Sequence, residues 1–165
     1  MIDWLHSPKK LLLLTLGIAL AVIGSALASQ YLGGLEPCKL CYWQRNPYYI
    51  GIPVILLAFF LFNTSVSLRK ILLLIITVIF LAGVGLGIYH VGVEQGWWLG
   101  PASCSSAASL GETLEQQIEN LLNKPRIDCG EPAFVLLGIS MAGYNAICSL
   151  LLAALSLRAF LKSKD

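Results

Sequence analysis

Four of the five cysteines in this 165-residue chain fall into two pairs, and all four stand at the edges of long apolar runs. Cys38 and Cys41 form a C-x-x-C within Pro37-Cys38-Lys39-Leu40-Cys41. At the start of a helix, a spacing of three brings both sulfurs within bridging range. A helix N-terminus offers unpaired N–H groups and a positive dipole end, which stabilise a thiolate. Arg45 follows Cys41 by four residues, on the same helical face, and its charge favours a Cys41 thiolate. C-x-x-C alone also serves zinc sites and structural bridges. At a membrane helix start with arginine at i+4 it points to thiol redox chemistry. Arg45 on its own reads as a basic residue snorkelling to the headgroups. Beside the cysteines it can also donate to a carbonyl of a membrane-borne oxidant.

Cys104 and Cys129 are the second pair, separated by 24 residues. As a structural staple, a bridge over a loop of that size contributes about 3–4 kcal/mol. Gly100-Pro101 and Pro125 suggest mobile flanks instead. Two disulfides on mobile loops can exchange through thiolate attack. Cys38, Cys41, Cys104 and Cys129 could also form an all-thiolate zinc site. An oxidising compartment and the lack of a second close C-x-x-C argue against it, so no metal is expected. His90 sits where a span meets the outside and reads first as an interfacial hydrogen-bonding residue. Cys148 lies mid-span and reads as a small inert residue.

The elements that must position these residues are membrane helices. The composition is 57% hydrophobic and only 12% charged, against roughly 25% charged in soluble domains. Residues 11–35, 46–68, 71–93 and 132–157 contain no Asp, Glu, Lys or Arg. About 20 apolar residues cross the hydrocarbon core. The expected fold is an all-α membrane protein, a single domain of four transmembrane helices over about 11–31, 41–62, 71–90 and 133–157. Strands are not expected, because an open sheet edge leaves backbone groups unsatisfied in lipid. Pro47 and Pro53 should kink the second helix. Gly83, Gly85 and Gly87 should let a neighbouring helix or a flat ligand approach the third. Ser109 with Glu112 forms a capping box, and Leu110, Leu114, Ile118, Leu121 and Leu122 recur at helical spacing. A short amphipathic helix is therefore predicted in the second outside loop.

Basic residues orient the chain. With the N-terminus inside, the inner segments hold Lys9, Lys10, Arg69, Lys70, Arg158, Lys162 and Lys164. The outer side, with loops over about 32–40 and 91–132 and the start of the second helix, holds Lys39, Arg45, Lys124, Arg126 and most of the acids. Both termini are then cytoplasmic, and both cysteine loops face the side where disulfides persist. An alternative takes Lys9-Lys10, the apolar run and Ala26-Leu27-Ala28 as a cleaved signal peptide. The run continues to Leu35, long enough to span. The net charge of +2 leaves no nucleic-acid footprint.

Pro37-Cys38-Lys39-Leu40-Cys41-Tyr42-Trp43-Gln44-Arg45, Tyr89-His90, Gly100-Pro101-Ala102-Ser103-Cys104 and Asp128-Cys129 together resemble the disulfide bond formation protein B (DsbB) family. The resemblance runs from the first helix to the last. It implies a four-helix bundle in the bacterial inner membrane, with periplasmic redox loops. Such a protein reoxidises the periplasmic thioredoxin-fold oxidase DsbA and passes the electrons to a quinone, ubiquinone or menaquinone. The relay from DsbA through DsbB to quinone is the established route by which a periplasm is kept oxidising. The resemblance further implies that DsbA attacks Cys104, that Cys129 then attacks Cys38, and that Cys41 is left as a thiolate beside the quinone. Arg45 would anchor the quinone, and His90 matches a position near it. The second loop departs from the family's best-studied pattern, with Trp97-Trp98 before Cys104 and an acidic amphipathic segment after it. A quinone reductase resembling vitamin K epoxide reductase, or a non-enzymatic disulfide-stapled tetraspan protein, are the competing readings.

Overall fold

The computed structural model describes residues 7–101, 104 and 128–163. Among these, helices α1 (Pro8–Tyr31), α2 (Lys39–Phe60), α3 (Val66–Glu94) and α4 (Met141–Lys162) form the body of the protein. Pro8 occupies the first turn of α1, where a missing N–H costs nothing. The helix ends as the N–H groups of Leu32 and Gly33 both close on the Ala28 carbonyl. A Cβ on Gly33 would sit 2.6 Å from the Ser29 carbonyl oxygen, and Gly34 adopts a φ of +66°, so only glycines turn the chain here. That turn delivers Cys38 to the start of α2.

The helices pack in a ring, each against its neighbours in the order α1, α2, α3, α4 and back to α1. Leu11, Leu12, Tyr48, Ile55, Leu73, Ile76, Phe80 and Leu152 fill the shared core. Thr15, Thr77 and Ser156 are buried too, and each hydroxyl donates to the carbonyl four residues back, at 2.8 Å. This satisfies them without water. The tightest approach is between α3 and α4. A Cβ on Gly87 would lie 2.7 Å from the Ala146 Cβ, and one on Gly83 would lie 3.0 Å from the Ser149 Oγ. These two of the three predicted glycines serve helix packing, as small residues do in membranes. The space around Gly85 is open.

Outward faces carry Leu20, Ile50, Phe60, Val78, Leu81 and Leu151, all exposed. A soluble domain does not expose so continuous an apolar surface. The helices α1, α3 and α4 are long and apolar enough to cross a membrane. At 1.5 Å per residue even the 22 residues of α4 reach about 33 Å, more than the core of a bilayer. Helix α2 matches α4 in length, but its first two turns hold Lys39, Gln44, Arg45 and Asn46.

Two expectations need correction. The last helix does not begin at residue 133. Val135–Leu136 and Ile139–Ser140 form an antiparallel hairpin, β1 and β2, pairing Val135 with Ser140 and Leu136 with Ile139. Its turn places Leu137 at φ 51° and Gly138 at φ 80°, the double left-handed geometry of a tight hairpin turn. Helix α4 starts afterwards, with the Ser140 hydroxyl accepting from the Gly143 N–H at 3.2 Å. The exclusion of strands therefore fails for this short piece. It precedes a helix that is already long enough to cross a bilayer, so its backbone need not be satisfied in lipid. The third helix is also longer than expected, running from Val66 to Glu94. The predicted amphipathic segment over 109–122 lies outside the described residues.

Candidate active site

Helix α2 begins at Lys39, which makes Cys38 its N-cap. The Cys38 Sγ accepts from the Cys41 N–H at 3.2 Å. The two sulfurs share a hydrogen bond at 2.9 Å, as free thiols. Cys38 is buried and Cys41 is half-buried. The sequence reading favoured Cys41 as the thiolate, through Arg45. In the reduced pair the structure favours Cys38 instead. Its thiol is held well below the ordinary range, at about 4, chiefly by the hydrogen bond shared with Cys41. Burial opposes this, while His90 and the Cys41 N–H support it.

His90 projects from the outer end of α3, and its Nε2 lies 3.5 Å from the Cys38 Sγ. The Gln44 amide nitrogen is 2.8 Å from the other ring nitrogen, Nδ1. The Glu94 carboxylate, one turn further along α3, comes within 3.9 Å of Nε2. Sequence reasoning did not single out Gln44 or Glu94. The i+4 spacing of Glu94 from His90 was the available signal.

Cys104 and Cys129 are joined by a disulfide with an S–S distance of 2.03 Å. Both are buried, and they form one cluster with Cys38, Leu40 and Val93, against which Cys41 and Tyr89 pack. The structure thus gathers all four loop cysteines in one place. The Gly100 flank is held rather than loose: a Cβ there would meet the Val93 Cγ1 at 3.2 Å and the Cys104 Cβ at 3.3 Å. Pro125 lies outside the described residues. The Trp98 indole donates to the Tyr89 carbonyl at 2.8 Å and stacks on the Tyr89 ring, so this tryptophan ties the loop to α3. With the second pair bridged, a site built from all four thiolates is not formed.

On the far side of Cys41 lies an apolar cleft of about 460 Å³. Ile23 and Ala26 of α1, Tyr48 of α2, and Phe134 beside the hairpin supply apolar walls. Cys41 and Arg45 line it too, together with Glu36 and Cys148. Arg45 is buried; one guanidinium nitrogen donates to the Gln30 side-chain oxygen and another to the Ala26 carbonyl at 3.2 Å. It also stands over the Tyr42 ring at 5.3 Å. This is a fixed inter-helix position, not a side chain reaching for headgroups. Tyr48 donates to the Asn145 Oδ1 at 2.8 Å and lies 3.1 Å from the Ser149 Oγ, closing the base of the cleft between α2 and α4. Cys148 is half-buried on the cleft wall, not sealed within the bundle. His90 is not on this wall; it lines a second cavity, with Cys38, Cys41 and Glu94. Cys41 is common to both.

The family model described as "Disulfide bond formation protein DsbB" matches residues 8–159. An uncharacterised protein of Rickettsia prowazekii (strain Madrid E) is 32% identical over 146 residues, covering 87% of this chain and 83% of that protein. The disulfide bond formation protein B of Methylococcus capsulatus is 31% identical over 160 residues, covering 93% of this chain and 94% of the relative. That of Albidiferax ferrireducens is 31% identical over 164 residues, covering 93% and 88%. No solved structure matches the chain. With its membrane helices and this match over most of its length, the chain belongs to the DsbB family of disulfide bond formation proteins, integral membrane oxidoreductases that generate disulfides.

Proposed function

We propose that this protein is an inner-membrane thiol:quinone oxidoreductase that reoxidises a periplasmic DsbA-like oxidase. The observation that carries the reading is the position of Cys41. It stands on the wall of an apolar cleft beside a buried arginine, while its partner Cys38 packs against the Cys104–Cys129 bridge. Electrons arriving at one side of the C-x-x-C can leave at the other.

In this reading all four helices cross the membrane, α2 included, because it completes the ring and shares the core. The basic residues at the inner ends put both termini in the cytoplasm, and the cysteine loops are periplasmic. A thiolate of the partner attacks Cys104, breaks its bond to Cys129 and frees Cys129 as a thiolate. Cys129 attacks Cys38, opens a Cys38–Cys41 bridge, and leaves Cys41 as the thiolate on the cleft wall. The partner's second thiolate attacks its own sulfur in the mixed disulfide, departs oxidised, and frees Cys104. Cys104 then attacks Cys129, restores the Cys104–Cys129 bridge and releases Cys38. The products are a bridged loop pair and a Cys38/Cys41 dithiol, the bonding arrangement of the structure. A quinone bound in the cleft supplies the acceptor for two electrons and two protons, restoring the Cys38–Cys41 disulfide. The chain's own residues prepare that step. Arg45 presents a fixed donor to a carbonyl oxygen, and the apolar walls exclude water. His90 and the Cys41 N–H hold charge on Cys38.

Anaerobic turnover decides the matter. Purified protein, stripped of lipid quinone, is mixed with reduced DsbA and either ubiquinone or menaquinone. Oxidation of DsbA that requires one of them, mole for mole, is the expected result. Turnover without any added acceptor, or none with either quinone, would refute the reading.

A further inference from the structure

We propose that the reduced C-x-x-C, together with His90 and Glu94, is a redox-gated site for a thiophilic divalent cation such as Zn²⁺. The site is distinct from the four-cysteine arrangement weighed from the sequence, because it uses neither Cys104 nor Cys129. The ligand atoms are the sulfurs of Cys38 and Cys41 and the Nε2 of His90, all within 4.8 Å of one another. Tetrahedral zinc with Zn–S near 2.3 Å and Zn–N near 2.0–2.1 Å holds a sulfur and a nitrogen about 3.5 Å apart. The Cys38 Sγ and His90 Nε2 are 3.5 Å apart as they stand. The same geometry needs about 3.8 Å between two sulfurs. These lie at 2.9 Å, so the half-buried Cys41 side chain must turn outward by less than 1 Å.

Glu94 supplies the second observation. Its side chain is 5% exposed, its Oε1 is 3.9 Å from the His90 Nε2, and its buried Oε2 has no hydrogen-bond partner among the described residues. A buried carboxylate oxygen without a partner is costly, and a cation beside it removes the cost. Carboxylate is a competent fourth zinc ligand, and Glu94, outside the close group of three, must turn toward the sulfurs to take that position. The support around the histidine is also in place. A metal-bound Nε2 leaves Nδ1 protonated, and such N–H groups are held by a carbonyl oxygen. Gln44, 2.8 Å from Nδ1, provides that oxygen by turning its amide over. The cavity of about 450 Å³ that opens onto these ligands is bordered by Glu36, Asp128 and Glu131 as well as Glu94, so its approach is acidic.

Binding displaces whatever protons the two thiols still carry and transfers no electrons. The disulfide form of Cys38–Cys41 has no thiolate to offer, so only the reduced protein binds. A cation captured there ties up both sulfurs, and in the proposed cycle that halts reoxidation; this consequence rests on the quinone-linked reading, whereas the binding itself does not.

Co²⁺ is the probe, because thiolate ligation gives it a charge-transfer absorption that oxygen ligands do not. Full-length protein in detergent is reduced, freed of reductant without oxygen, and titrated with Co²⁺, then with Zn²⁺ in competition. One equivalent with the thiolate band is expected for the reduced wild type and for Cys104→Ser/Cys129→Ser, and no band for the oxidised wild type. Cys38→Ser should lose the site, and His90→Ala should raise the dissociation constant roughly tenfold or more. The proposal is overturned if the reduced wild type gives no thiolate band, or if the oxidised protein binds equally. It is overturned too if His90→Ala binds as tightly as wild type, or if the double serine variant loses binding. Since the readout is binding, its failure leaves quinone turnover standing, and failed turnover leaves it untouched.

Discussion

Lowering the pH should leave Cys38 reactive long after an ordinary thiol has become inert. The thiol is held at about 4, against an ordinary value of 9.0. The sign follows from the thiolate being the nucleophile. A depressed pKa keeps Cys38 ionised above about pH 5, and its reactivity falls only as the pH drops through 4. At pH 6 an ordinary thiol is about 0.1% thiolate, whereas Cys38 is about 99% ionised, a gain of about a thousandfold. Nucleophilicity falls with basicity at a Brønsted slope of about 0.4–0.5, so the 9.0-to-4 shift costs about 100- to 300-fold. At equal access the net expectation is alkylation about 3- to 10-fold faster than an ordinary thiol at pH 6, and slower at pH 9. Steric shielding of the buried sulfur lowers its absolute rate by the same factor at every pH. The assay is iodoacetamide labelling of reduced protein from pH 4 to pH 9, with each cysteine followed separately by peptide mass spectrometry. The Cys38 rate should change less than about twofold between pH 9 and pH 6, and His90→Ala should move its midpoint upward. A tenfold loss per pH unit between pH 8 and pH 6 would show that Cys41, the cap N–H and His90 do not hold the charge there, and the reasoning would fall.

Three further outcomes follow from the same geometry. Cys41→Ser and Cys104→Ser should each abolish quinone-coupled oxidation of DsbA, while Cys148→Ser, on the cleft wall but outside the cysteine cluster, should retain it, as measured by anaerobic turnover. Arg45→Met removes a buried charge-assisted donor worth about 1.5–3 kcal/mol, so the KM for quinone should rise about 10- to 150-fold with little change in the KM for DsbA. Gly87→Val forces side-chain carbon against Ala146, where a Cβ already sits 2.7 Å away, and should destabilise the bundle by about 1–3 kcal/mol. Gly85→Val, facing open space, should leave the detergent melting temperature unchanged.

The helices were legible because lipid permits so few alternatives. A charge-free run of two dozen residues has one low-cost backbone solution in a bilayer; α3 covers its run, and α1 covers its own as far as Tyr31. The four-cysteine grouping was legible for a related reason, since the first and third connections of an up-and-down four-helix bundle emerge at the same end. The start of α2 was not. Moving the first helical residue from Cys41 to Lys39 makes Cys38 the cap, where its sulfur meets both the Cys41 thiol and the Cys41 N–H. Apolar periodicity cannot fix that boundary, because Leu40 to Trp43 is an unbroken hydrophobic run with no helical period.

The hairpin at 135–140 was hidden for a different reason. Val-Leu-Leu-Gly-Ile-Ser is apolar, and hydropathy alone reads it as the first turns of α4. Two local signals oppose that reading. Gly138 tolerates the left-handed φ of 80° that a tight turn requires, and the Ser140 hydroxyl is placed to cap a helix three residues on, at Gly143. Hydropathy decides whether a segment prefers lipid to water; caps and left-handed positions decide where a helix begins. The two cavities that matter meet at Cys41, between α2 and the start of α4, where both helix starts depend on the second kind of signal. The chemistry of this chain therefore depends most on the short polar and glycine-bearing junctions that set the register of its apolar helices.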